Sequence, residues 1–193
     1  MLVSKQVEVP DMTALSRDKK VRLEIYQDIY PADPREEDNL GKMICWHSRY
    51  KLGDSHEFTQ PSDFKKNVTE EDNLILPLFL YDHSGISMST VQTYPYDDQW
   101  DAGQVGWIYV SKAKAKEEDL TEDQAYALLK IEVARYNDFL TGNVWSFSLV
   151  RTMDGKVLDS CSGFYGDIQE SGMGDYLGEY KYLLDELTPN ESI

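Results

Sequence analysis

The chain has 193 residues and carries 35 acidic against 19 basic side chains, a formal net charge of −16 at pH 7. A negative field of this size repels phosphate groups, so it argues against direct binding to nucleic acid or to an anionic membrane surface. The hydrophobic and charged fractions, 41% and 28%, are typical of a folded globular protein, and the length suits one well-buried domain.

Apolar runs predict the strands in chain order. Residues 1–20 are polar, mixed in charge and interrupted by Pro10, which predicts a polar N-terminal arm or a strand that docks late. Two buried runs, Leu74–Tyr81 and Val105–Lys112, are the candidates for central strands. The other predicted strands are Val21–Asp28, Lys42–Ser48, Ile86–Thr90, Val144–Val150 and Lys156–Cys161.

Two amphipathic helices are predicted in the second half of the chain. Thr121 is a typical cap, Gly142 suits a left-handed stop, and apolar residues recur between them every three or four positions. A second helix is predicted over Met173–Leu187, with an acidic free face. The sequence therefore predicts an α+β fold, a largely antiparallel sheet with both helices packed on it, in a single domain over residues 21–193.

The polar stretch between Tyr50 and Asn73 predicts a long solvated loop, with a brief helical turn at Pro61–Lys66. Cys45 and Cys161 are the only cysteines, and the start of the chain lacks a signal-peptide pattern. These features predict two reduced thiols in a cytoplasmic protein. No stretch of eighteen apolar residues predicts a membrane span.

Motifs for catalysis or cofactor binding are missing from the sequence. The spacings H-E-x-x-H, C-x-x-C and G-x-S-x-G do not occur, and Gly172-Met-Gly174 lacks the rest of a phosphate-binding loop. A metal site would require His47, His83, Asp82 and Cys161 to converge in the fold, which the sequence leaves open. We therefore predict a protein that is not an enzyme and that uses no cofactor or metal.

Acidic side chains form the most distinctive candidate site. Carboxylates alternate with aromatic rings before the second central strand, and such a surface suits arginine through cation–π contacts and carboxylate forks. The candidate partner-binding residues are Tyr96, Asp97, Asp98, Trp100 and Asp101, with Asp175, Glu179, Asp185 and Glu186 of the predicted C-terminal helix. Two interpretations stay open: the acid keeps the protein soluble, or it matches the basic surface of a nucleic-acid-binding protein.

Six blocks of the chain resemble a family of small proteins of unassigned function in bacteriophages, plasmids and other mobile elements. The resemblance spans roughly residues 21 to 166, and Glu37 departs from it, where an aromatic residue is expected. The blocks are LEIYQD (Leu23–Asp28), PREEDNLGKMICWHSRYKLGD (Pro34–Asp54), LPLFLYDHSGISMST (Leu76–Thr90), WDAGQVGWIYVSK (Trp100–Lys112), RYNDFLTGNVWSF (Arg135–Phe147) and DSCSGFYG (Asp159–Gly166).

The resemblance implies a mobile-element protein that acts in the cytosol of a host bacterium. Together with the acidity, it implies an inhibitor of a host defence protein, of the anti-CRISPR or anti-restriction type, which could imitate the charge of DNA. One alternative is a metabolic or small-ligand-binding domain with a pocket near His83, built by Tyr81, His83, Trp107 and Cys161. A structural or housekeeping component of the mobile element is the other alternative.

Overall fold

A computed structural model describes residues 9–83, 85–92 and 102–190. The chain forms two compact units. Residues 1–32 together with 142–193 make the first, called here the split unit, and residues 33–141 make the second, the inserted unit. The sequence predicts one domain over residues 21–193, and the structure divides that stretch between the two units.

Nine strands and three α-helices occur in the described ranges. The strands are β1 (Met12–Leu15), β2 (Val21–Gln27), β3 (Lys42–Cys45), β4 (Asn73–Asp82), β5 (Ile86–Ser89), β6 (Ala102–Ser111), β7 (Val144–Arg151), β8 (Val157–Tyr165) and β9 (Thr188–Pro189). The helices are α1 (Pro61–Asn67), α2 (Lys112–Glu117) and α3 (Glu122–Thr141), and 3-10 turns cover Pro34–Glu36, Met173–Asp175 and Gly178–Glu186. All strand pairings between described residues are antiparallel, and together with the helices they confirm the predicted α+β class.

The split unit is built on a five-stranded sheet in the order β8-β7-β2-β1-β9. Because alternate residues of a strand share a face, Leu23 and Ile25 of β2 meet Phe147 and Leu149 of β7 in one core. β1 lies within the stretch predicted as a polar arm, so the strand alternative holds for Met12–Leu15.

The inserted unit contains a four-stranded sheet in the order β3-β6-β4-β5, with α3 packed on one face. Buried Leu129 and Val133 of α3 pack with Leu78 and Ile108 of the sheet. The sequence predicts one sheet, and the structure has two, because the strands of residues 33–141 pair only with one another and the strands before and after them form a separate sheet. No helix in the described ranges is long and apolar enough to cross a membrane.

Helix α3 matches its prediction because the local signals at both ends are used. Thr121 Oγ1 accepts a hydrogen bond from Gln124 N at 3.2 Å, and Gln124 Oε1 accepts one from Thr121 N at 2.9 Å, a reciprocal cap. Gly142, just past the last helical residue, adopts φ +73°.

The predicted second helix over Met173–Leu187 is present as two 3-10 stretches instead of one α-helix. Gly172 and Gly178 adopt φ values of +84° and +54°, and a left-handed residue cannot continue the α-helical hydrogen-bond ladder. The chain therefore winds in short 3-10 pieces, which still place Leu183 and Leu184 in the core of the split unit.

Candidate functional site

The predicted partner-binding residues fall into two groups. Tyr96, Asp97, Asp98, Trp100 and Asp101 lie outside the described residues. The other four, Asp175, Glu179, Asp185 and Glu186, belong to the stretch Met173–Glu186, which we call the acidic segment.

Buried apolar side chains fix the acidic segment to the split unit. Met173, Leu177, Leu183 and Leu184 are at most 5% exposed and belong to the core on which the sheet packs. The four carboxylates of the acidic segment, two between these residues and two directly after Leu184, are all exposed. The segment therefore holds its acid at the surface on a backbone that is anchored at several points.

The charge of the acidic segment is largely uncompensated from within. Lys181 is its only basic residue, and its Nζ lies 3.6 Å from Asp175 Oδ1, with both side chains more than half exposed. An exposed ion pair of this kind stabilises the fold only slightly, because water screens the attraction between the two charges. Glu179, Asp185 and Glu186 make no ion pair with any described residue.

An aromatic ring accompanies the carboxylates of the acidic segment. The sequence pattern places Tyr176 on the apolar stripe of a helix, but the residue is 60% exposed. Its ring lies in an edge-to-face arrangement with the ring of Phe164, with 5.4 Å between the two centroids. The 3-10 winding turns this side chain outward, which the periodicity of an α-helix could not predict. Tyr176 beside Asp175 is the kind of surface that accepts an arginine.

The residues proposed for the alternative pocket near His83 do not all belong to one unit. The rings of Tyr81 and His83 lie 6.0 Å apart. Trp107 instead stacks on Phe64 of α1 at 5.1 Å, and Cys161 belongs to β8 of the split unit. The alternative function stays a prediction.

Metal ligands do not gather in the described part of the chain. No group of three or more His, Cys, Asp or Glu residues there is placed to hold a metal ion. Asp82 instead forms an ion pair with Arg49, and His47 Nδ1 accepts hydrogen bonds from the backbone of its own loop.

A feature that the sequence analysis missed is an open depression of about 790 Å³ beside the loop that follows β3. We call it the basic depression. Its lining runs from Cys45 to His56 and includes the sequence His47-Ser-Arg-Tyr-Lys51. The signal in the sequence was a cluster of basic and aromatic residues in an otherwise acidic chain, in a stretch predicted only as a solvated loop.

A buried ion cluster fixes one end of this loop. Arg35 donates two hydrogen bonds to Asp54, at 2.9 and 2.8 Å, and one to Glu132 of α3 at 2.9 Å. Asp54 Oδ2 also accepts the backbone N–H of Met43 at 2.8 Å. Although burial opposes its charge, the hydrogen bonds to these two carboxylates raise the pKa of Arg35 above its usual value.

Cys45 lies at the floor of the same region and is not a nucleophile. Burial raises the pKa of its thiol to about 12, and the nearby carboxylate of Asp54 adds to the shift. Because the thiolate is the reactive form, a thiol with this pKa is inert near neutral pH.

Glu37, where the sequence resemblance would lead us to expect an aromatic residue, forms a two-fold hydrogen-bonded ion pair with Arg135 of α3, at 2.6 and 2.9 Å. The acid at this position therefore holds the 3-10 turn at Pro34–Glu36 close to the helix. Comparison with protein-family models, curated proteins and solved structures found no match, and the family resemblance stays a prediction.

Proposed function

We propose that the protein is a non-enzymatic inhibitor that binds the basic, nucleic-acid-binding surface of another protein, of the kind that host defence nucleases carry. Its contacts are the acidic segment, with Asp175, Glu179, Asp185 and Glu186, and the acidic aromatic stretch from Tyr96 to Asp101. A formal net charge of −16 supports this proposal, because it argues against nucleic acid as the direct partner and steers basic proteins toward the chain.

The observation that carries the proposal is the anchoring of the acidic segment. Four exposed carboxylates and one exposed tyrosine sit on backbone whose neighbouring leucines are buried. A surface that is already ordered loses little conformational entropy when a partner binds, so more of the interaction energy appears as affinity. Acid that served only for solubility would not need such anchoring.

The test is a pull-down of the tagged chain from a bacterial lysate at low and high salt, with captured proteins identified by mass spectrometry. We expect a nucleic-acid-processing protein that is lost at high salt, because ions screen an association driven by charge. The purified partner should then bind either duplex DNA or this chain, but not both at once.

A matched pair of variants localises the contact. The first reverses Asp175, Glu179, Asp185 and Glu186 to lysine. The control reverses four exposed acids of the inserted unit, Glu70, Glu71, Glu117 and Glu118, and changes the net charge equally.

We expect the first variant to lose the partner and the control to retain most of its affinity. Equal loss in both would mean that net charge, and not the acidic segment, determines binding. Reversal of Asp97, Asp98 and Asp101 to lysine tests the second contact in the same assay.

A further inference from the structure

The basic depression contains a polar atom that the protein leaves without a partner. His56 Nε2 lies 3.1 Å from the carbonyl oxygen of Cys45, so this nitrogen must carry the proton that is donated there. In the neutral imidazole, His56 Nδ1 is then a hydrogen-bond acceptor. It is buried and has no hydrogen-bond partner among the described residues, an arrangement that costs free energy unless a ligand supplies a donor.

Hydrogen-bond donors also line the same depression. His47 Nδ1 accepts the backbone N–H groups of Arg49 at 3.3 Å and Tyr50 at 3.2 Å, so the proton of the neutral imidazole sits on Nε2. That N–H has no partner in the described part of the chain. The ring of His47 is also held in place, because it stacks on Tyr50 with 5.1 Å between centroids and 12° between planes.

Two cationic side chains complete the donor set. Lys51 is exposed and forms no ion pair with a described residue. Arg49 is bonded to Asp82 through one nitrogen only, which leaves further N–H groups of its fork free to donate. The one carboxylate in the lining, Asp54, is already engaged by Arg35. The uncompensated charge of the depression is therefore positive, although the chain as a whole is strongly acidic.

We propose that the basic depression binds a phosphate monoester that carries a free hydroxyl group, such as a sugar phosphate. The phosphate contacts His47, Arg49 and Lys51, and a hydroxyl group donates to His56 Nδ1. A phosphate monoester carries a charge of about −1.5 to −2 at neutral pH, and its several oxygens can accept from the unpaired ammonium of Lys51 and from the remaining N–H groups of Arg49 together. The volume of about 790 Å³ lies in the range of small-molecule sites.

The test is isothermal titration calorimetry of the full chain with four probes: ribose 5-phosphate, inorganic phosphate, ribose and gluconate. We expect ribose 5-phosphate to bind at one site. Inorganic phosphate should bind more weakly because it lacks the sugar hydroxyls, and ribose should not bind measurably. Gluconate carries a carboxylate in place of a phosphate. If it binds as tightly as ribose 5-phosphate, the assignment to phosphate is wrong.

Three variants place the site. In His56→Gln the side-chain amide can still donate to the Cys45 carbonyl, but the Nδ1 acceptor is gone. We expect this variant to bind ribose 5-phosphate about tenfold more weakly and to bind inorganic phosphate with unchanged affinity. Lys51→Ala, at an exposed position, should lower the affinity for ribose 5-phosphate and for inorganic phosphate by about threefold to tenfold. Lys66→Ala removes the same charge from α1 and should change neither of these two affinities.

Absence of any saturable binding to ribose 5-phosphate at millimolar concentration would overturn the proposal. So would equal affinity in Lys51→Ala and the unaltered chain, because the ligand would then occupy another place. Lys51 is solvent-exposed, so this arm stands even where His56→Gln perturbs folding. The acidic segment takes no part in this site, and neither result bears on the capture of a basic partner.

Discussion

Replacing Arg35 with methionine tests how far the buried ion cluster stabilises the inserted unit. The guanidinium side chain is only 4% exposed, and its partners Asp54 and Glu132 are 19% and 13% exposed. Arg35 also donates to the carbonyl of Gly41 at 2.8 Å. The variant Arg35→Met keeps much of the packing volume and leaves two carboxylates in a mostly dry site without their cation.

The magnitude follows from the number and burial of the lost contacts. Breaking a buried ion pair by removing one partner costs about 3–5 kcal/mol. Both carboxylates retain backbone donors, from Met43 to Asp54 and from Leu40 to Glu132, and both keep some contact with water. These features reduce the cost, so we expect Arg35→Met to lower the unfolding free energy by about 3 kcal/mol.

The assay is equilibrium urea unfolding followed by tryptophan fluorescence, to which Trp46 and Trp107 of the inserted unit contribute together with Trp145 of the split unit. With a denaturant dependence of about 2 kcal/mol per molar urea, the midpoint should fall by about 1.5 M. Arg135→Met is the matched control, because its pair with Glu37 is 40% and 45% exposed. It should cost less than about 1 kcal/mol.

A second variant separates the lost cation from the stranded anions. Combining Arg35→Met with Asp54→Asn and Glu132→Gln removes all three charges while the amide oxygens still accept the backbone N–H groups. We expect this triple variant to be more stable than Arg35→Met alone. A loss below about 1 kcal/mol in Arg35→Met, or a triple variant no more stable than the single one, would refute the reasoning.

Three further outcomes are expected. A Cβ at Gly106 would lie 1.8 Å from the carbonyl oxygen of Ile44, whereas one at Gly103 meets nothing within 4 Å. Gly106→Ala should therefore cost more than about 3 kcal/mol in urea unfolding and Gly103→Ala less than about 1 kcal/mol, and similar costs would contradict the packing. Iodoacetamide at pH 8 should modify the partly exposed Cys161 well before buried Cys45 in the native protein, by peptide mass mapping. The pKa of the Cys45 thiol is about 12 in the folded protein, against 9.0 ordinarily. The protonated thiol therefore contributes fully to the unfolding free energy below pH 9, and this contribution is lost as the pH rises toward 12. The unfolding free energy should fall by about 1.4 kcal/mol per pH unit in that window, less steeply in Cys45→Ala, and parallel profiles would contradict the assignment.

Local signals in the sequence predicted most elements, but not the strand partners that lie far apart in the chain. Helix α3 was predictable because Thr121 and Gly142 act through hydrogen bonds and backbone angles within a few residues. The pairing of β2 with β7 was not, because Leu23 opposite Leu149 is a contact across more than a hundred residues. No local pattern distinguishes that partner from the other apolar strands, so two sheets were predicted as one.

The candidate sites likewise have features that the sequence predicts and features that it does not. Exposed acid at Asp175 and Glu179 was predictable, since carboxylates rarely lie in a core without a partner. The outward turn of Tyr176 was not, because it depends on the left-handed conformation of Gly172 and Gly178. The basic depression was missed because His47 and His56 become a binding surface only through the path of the loop that joins them.

The insertion between β2 and β7 determines the order in which the two units can be completed during synthesis. The inserted unit ends at residue 141 and contains all of its own strands, so it can fold while the rest of the chain is still being made. The sheet of the split unit must wait for β7, β8 and β9. When they arrive, Asp28 N bonds the carbonyl of Val144 at 2.8 Å. A compact insertion brings these distant residues together at a lower entropic cost than a flexible loop of the same length would.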